Sequence, residues 1–168
     1  MLDAALLSIL ATLAPPPAAV PSACDLLTPA EVNSVQGASI LESKRTRGSA
    51  RTDACFFRAD PFSSSVSLEV TRGAHAELER LLEKVVEPAG GEREEERPTR
   101  AAPEPVTGVG ERALWLATPG SGTLLVLSGD ALLRLSAGGT EATAARPGKK
   151  ERAIELGKKA LARLAPRS

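Results

Sequence analysis

The 168-residue chain carries 21 Lys+Arg against 21 Asp+Glu, a balance that argues against a general nucleic-acid binder or a polybasic membrane-surface protein. Three Phe, one Trp and no Tyr argue against a stacking platform, and one His with two Cys is too few for a structural zinc site unless a second copy contributes. At 42% hydrophobic residues the chain can bury the core of one domain, and it is short for two.

Ala4 to Leu13 is an uncharged apolar run, followed by Pro15-Pro16-Pro17 and small residues up to Ala23. The run is too short for the roughly 20 residues of a bilayer span and falls in the range of a signal-peptide apolar region. Residues 1–23 therefore read as a secretory signal and 24–168 as a single domain without a transmembrane helix. Met1-Leu2-Asp3 lacks the usual basic residue, and a buried N-terminal helix is the competing reading.

Cys24 and Cys55 are the only cysteines, and an even count in an exported chain suggests a disulfide. Closing that loop contributes roughly 3–4 kcal/mol. Lipidation of Cys24 competes with the bridge, because small residues precede it in Pro21-Ser22-Ala23-Cys24, although Pro21 stands where a lipobox has Leu. Two free thiols are the third reading. A redox pair is disfavoured by the absence of Cys-x-x-Cys spacing.

Thr28-Pro29-Ala30-Glu31 predicts a capped helix that ends near Gly37. A strand over Ile40–Thr46, an extended run over Ala54–Ala59 and a turn at Asp60-Pro61 follow. Ser65 to Arg72 alternates, which places Val66, Leu68 and Val70 on the core face and Ser67, Glu69 and Thr71 on the other. Leu78, Leu81, Leu82 and Val85 then recur at helical spacing over Ala74–Val86. The stretch 88–105, with its prolines, glycines and charged run Glu92–Arg97, reads as a mobile surface loop or a partner-docking loop. Ala113–Ala117 and Thr123–Ser128 are nearly all apolar, as strands covered on both faces are. Gly129-Asp130 suits a type II′ hairpin turn into a strand over Ala131–Ala137. Lys149–Leu164 reads as a helix with Ile154, Gly157, Leu161 and Leu164 on one face and a Glu155–Lys159 pair.

Four features invite a chemical reading. Gly108-Val109-Gly110-Glu111-Arg112-Ala113 fits G-x-G-x-x-A, but a dinucleotide site needs a strand before it and a helix after it. Here a Pro-rich stretch precedes and a strand follows, so the motif reads as a glycine turn. His75, the only histidine, stands at a helix start with no G-x-S-x-G elbow in the chain, and reads as a solvated side chain. Glu94, Glu95 and Glu96 lack the rigid setting that acid–base work requires. The basic tail (Arg146, Lys149, Lys150, Arg152, Lys158, Lys159, Arg163, Arg167) reads as a solvated helix face, and Trp115 as core. The sequence offers no catalytic, cofactor-binding or metal-ligating residue; its site residues are the disulfide candidates Cys24 and Cys55.

The order of landmarks resembles a known family. Cys24-Asp25-Leu26-Leu27-Thr28-Pro29-Ala30-Glu31-Val32 matches C-x-L-L-T-x-x-E-V, and a second cysteine follows in Cys55-Phe56-Phe57. Val106-Thr107-Gly108-Val109-Gly110-Glu111-Arg112-Ala113 matches V-x-G-[VL]-G-[ED]-x-A. The chain is similar to an uncharacterised family of small secreted or lipid-anchored bacterial envelope domains, best known from actinobacteria. Phe56 and Phe57 stand where that family commonly has Trp or Tyr after the second cysteine. The resemblance implies a PsbP-like α/β sandwich and an extracytoplasmic location, and brings no catalytic residues with it.

The resulting expectation is an α+β domain with a twisted antiparallel sheet of roughly five to six strands, about three helices and one disulfide. Its expected role is non-enzymatic binding of an envelope protein or small ligand, without a cofactor and without nucleic acid. An enzyme subunit working near the charged loop and a self-associating structural component are the alternatives.

Overall fold

The computed structural model describes residues 21–86, 102–118, 120–139 and 147–164. The expected signal segment up to residue 20 and residues 88–101 of the expected loop lie outside the described residues.

The chain opens with a 3₁₀ turn, Ala23–Asp25, and then forms α1 (Pro29–Gln36). Thr28 caps α1 as its sequence predicts: its Oγ1 accepts from the Glu31 N–H at 3.2 Å, and Glu31 returns a carboxylate oxygen to the Thr28 N–H at 2.9 Å. Three strands follow, β1 (Ser39–Arg47), β2 (Thr52–Asp60) and β3 (Val66–Arg72), then α2 (His75–Val86). The second half holds β4 (Glu104–Val106), β5 (Arg112–Thr118), β6 (Ser121–Ser128), β7 (Ala131–Gly138) and α3 (Lys149–Arg163).

Among the described residues all the strands join one antiparallel sheet in the order β1-β2-β3-β7-β6-β5-β4. The β3–β7 pairing, with Leu68 opposite Leu135, sutures the two halves of the chain. The sheet has 7 strands, which corrects the expected five to six. The addition is β4, whose Glu104 and Pro105 fall inside the stretch expected to be a mobile loop. Composition hides it because Pro105 cannot donate to a ladder; the strand is tolerated at the sheet edge, where it pairs with β5 alone.

Val66, Leu68 and Val70 are buried in the main core, as the period-2 reading requires. That core lies between the sheet and α1 and α3, and takes in Phe57, Trp115, Leu124, Leu133 and Leu156. The alternate residues of β5 and β6, including Leu114, Leu116, Leu125 and Leu127, form a second cluster with Leu78 and Leu82 of α2. The sheet is therefore covered by helices on both faces, which explains the unbroken apolar runs of β5 and β6. Leu81 of α2 is exposed, at the flank of the helix face. Phe57 fills the main core, whereas Phe56 on the opposite face meets Phe62, with ring centroids 6.1 Å apart.

The turn from β6 to β7 pairs Ser128 with Ala131 across two residues. Gly129 has φ 56° and Asp130 a negative φ, the II′ pattern expected from the sequence. In α3 the sheet-facing stripe is Ala153, Leu156, Gly157 and Ala160, while Ile154, Leu161 and Leu164 pack at its border. The expected stripe is thus rotated toward smaller residues. The reason is close approach: a Cβ at Gly157 would come within 2.9 Å of Leu124 Cδ2.

Candidate functional site

A cleft of about 550 Å³ lies beside the start of the 3₁₀ turn. Its wall comes from three strands and the connections at their ends. Arg45 belongs to β1, Thr52 and Asp53 to β2, Val70 and Arg72 to β3; Ser49, Ala50 and Arg51 form the β1–β2 turn, and Pro21 and Ser22 close one side. Strand register brings these residues together. Arg45 faces Cys55 and Asp53 faces Val70, so Arg45, Asp53, Val70 and Arg72 all project from the face that carries the disulfide.

Every arginine of the cleft is held by a carboxylate. Arg45 donates from Nε to Asp53 Oδ1 at 2.8 Å, and the other Asp53 oxygen accepts the Ala23 N–H at 2.8 Å. Arg51 donates both Nη groups to Glu77 of α2, at 2.7 and 2.8 Å, in a fork that ties the hairpin to the helix. Arg72, whose side chain is 13% exposed, donates from Nη1 to Asp130 Oδ1 at 3.3 Å. Pairing raises the pKa values of Arg45 and Arg51 and lowers that of Glu77, chiefly through the hydrogen bonds themselves.

The disulfide lies next to this cleft. Cys24 Sγ is bonded to the buried Cys55, with Cα atoms 5.0 Å apart, so both cysteines named from the sequence are joined. The bond uses the sulfur that a lipid thioether at Cys24 would need. Ser22 and Ala23, on the leader side of the expected boundary, belong to the packed structure. Ala23 is 1% exposed, and Ser22 shares a capping box with Asp25. The Ser22 hydroxyl and N–H hold the Asp25 carboxyl below its ordinary value.

The other candidates are dispersed. The Gly108–Ala113 motif connects β4 to β5 and packs on the sheet: a Cβ at Gly110, which has φ 60°, would come within 2.7 Å of the Leu127 carbonyl oxygen. It is a structural turn. His75 Nδ1 lies 2.9 Å from the Gly129 carbonyl oxygen and 3.6 Å from Glu111 Oε2 at an exposed position. Glu94, Glu95 and Glu96 lie outside the described residues, as do Arg146 and Arg167. The basic tail is less solvated than its sequence suggests. Lys149 and Arg152 are buried, with Arg152 donating to Gln36 Oε1, Pro147 O and Gly138 O. Lys150 pairs with Glu104, Lys159 with Glu155, and Arg163 with Glu31. Trp115 is core, as expected.

The cleft has no local signature in the sequence. The one available signal was the density of cations around a glycine turn, in Lys44-Arg45-Thr46-Arg47-Gly48 and Arg51. Nothing in the order of residues places Arg72 beside them. Among the described residues no cluster of His, Cys, Asp and Glu could hold a metal ion, and no helix is long and apolar enough to cross a membrane. No protein-family model matches the chain, and no curated protein matches it.

Proposed function

We propose that the chain is a small extracytoplasmic domain of the bacterial envelope family it resembles, with a PsbP-like sandwich architecture, and that it binds a partner or small ligand without transforming it. The cleft lined by Arg45, Asp53 and Arg72 is the observation that carries this reading. Its size falls in the range of small-molecule sites, and its polar groups are fixed in advance by ion pairs.

Asp25, Glu31 and Glu77 are all shifted toward holding their charge, each by hydrogen bonds from a neighbour. The Cys24–Cys55 bridge suits an oxidising compartment outside the cytoplasm.

Two measurements test the reading. Intact mass of protein from the extracytoplasmic fraction is expected about 2 Da below the reduced chain, from loss of two hydrogens. A diacylglyceryl adduct would replace the bridge by the lipoprotein reading, and recovery of full-length chain from the cytoplasm would remove the location. Affinity capture or fragment screening by NMR is expected to map to Arg45, Asp53 and Arg72. Ligands that map only elsewhere, or turnover of a captured ligand, would overturn the assignment.

A further inference from the structure

We infer that the cleft selects small molecules bearing an oxyanion, a carboxylate or phosphate, through Arg45 and Arg72; this rests on the cleft being the binding site proposed above. Three arginines and one carboxylate, Asp53, line the cleft; Glu77 and Asp130 pair with Arg51 and Arg72 from outside that lining, so the charges balance and the excess lies in N–H donors. Both Asp53 oxygens are already engaged, one by Arg45 Nε and one by the Ala23 N–H. An incoming group therefore meets Asp53, the one lining carboxylate among the described residues, in an occupied state.

The donors are in surplus. A guanidinium carries five N–H groups in a fixed plane. Arg45 is anchored through Nε, which orients its guanidinium while both Nη groups remain outside that bond. Arg72 is anchored through Nη1 alone, by a bond of 3.3 Å, although its side chain is mostly withdrawn from water. Arg51 is different, because both its Nη groups are committed to Glu77. Each of these positioned, partly used guanidinium groups of the cleft lining can take a planar or tetrahedral oxyanion by paired N–H···O bonds.

Lining hydroxyls do not reverse the balance. Thr52 Oγ1 is bonded to Thr71 Oγ1, and Ser49 Oγ accepts from the Arg51 N–H. Ser49 keeps its own O–H as a further donor. Val70 and Ala50 add the apolar surface that a short carbon skeleton would cover.

The test is an amide-shift titration of the full oxidised chain with succinate, inorganic phosphate and neutral succinamide in separate arms. Succinate or phosphate is expected to shift Arg45, Asp53 and Arg72 in the millimolar range, and the stronger of the two identifies the source of the oxyanion. Arg45→Gln and Arg72→Gln are each expected to weaken that binding by about tenfold, with added salt acting in the same direction. Arg45→Gln replaces an exposed side chain and keeps the result readable if Arg72→Gln fails to fold. Equal shifts from succinamide would overturn the oxyanion inference while leaving the cleft as a binding site. A screen of neutral and charged fragments in which none maps to the cleft would overturn both.

Discussion

Glu31 and Arg163 clasp α1 to α3 across the chain. Arg163 donates Nη1 and Nη2 to the two carboxylate oxygens at 2.9 and 2.7 Å, and Nη1 also reaches the Leu26 carbonyl oxygen at 3.0 Å. Glu31 is at the same time the return member of the Thr28 capping box. One carboxylate therefore fixes a helix start, a helix end and the segment just after the disulfide.

The consequence is a pH dependence of known sign. Arg163 first, and the Thr28 N–H second, lower the Glu31 pKa from its ordinary 4.5 to about 2. A lowered carboxyl pKa contributes stability that is complete above 4.5 and is lost as pH falls toward 2. Glu31→Gln is expected to lower stability by about 1–2 kcal/mol at neutral pH, from the weakened cap and fork. Urea midpoints measured from pH 6 down to pH 2 are expected to converge for wild type and variant. Parallel curves would show that another group carries the acid sensitivity.

Trp115 and Gly122 give a sharper packing test. A Cβ at Gly122 would lie 2.0 Å from Trp115 Cζ2 and 2.2 Å from Cη2, closer than any relaxed contact. Gly122→Ala is expected to displace the indole and cost about 1–3 kcal/mol, the usual range for overpacking a core. Trp115 is the only tryptophan, so its fluorescence reports the displacement directly. An unshifted emission spectrum with an unchanged midpoint would mean that the sheet yields there at no cost.

Some of this fold could be read from the order of residues. Alternation in Val66–Arg72 and the Thr28–Glu31 box are local signals, and each reappears in place. The features that were misread depend on distance of approach. α3 turns Ala153 and Ala160 to the sheet beside the expected Gly157, because small side chains permit a contact that counting large apolar residues overlooks. β4 is concealed by Pro105. The cleft was illegible for a third reason. Arg45, Asp53 and Arg72 each look like polar positions of separate strands, and only register makes them neighbours.

The disulfide prediction follows from where its two ends sit. Cys55 is fully buried in the main core, and Cys24 belongs to the 3₁₀ turn packed against it. Replacing both by Ala is expected to cost about 3 kcal/mol, the value for a loop of this order of length. Thermal unfolding of the double variant against the oxidised chain measures it. The reduced wild type is expected to match the variant; a reduced chain as stable as the oxidised one would remove the bridge from the stabilising contacts.

Asp53 links the N-terminal segment to the cleft. Its Oδ2 accepts the Ala23 N–H while Oδ1 orients Arg45, so the two contacts share one carboxylate. Ala23 itself is buried among the core residues. A chain beginning at Cys24 loses that methyl group, the hydrogen bond and the Ser22–Asp25 box, and leaves Asp53 with one oxygen less well held. Relative to a chain beginning at Pro21, the expected loss is about 2–3 kcal/mol, from one buried methyl group and one hydrogen bond to a charged acceptor. Arg45 is expected to become less ordered in the shorter form, visible as weaker protection of its Nε proton in NMR exchange. Equal melting midpoints for the two chains would show that Ala23 adds nothing to the fold. A changed midpoint with an unchanged Arg45 Nε signal would keep the stabilising contact but uncouple it from the cleft.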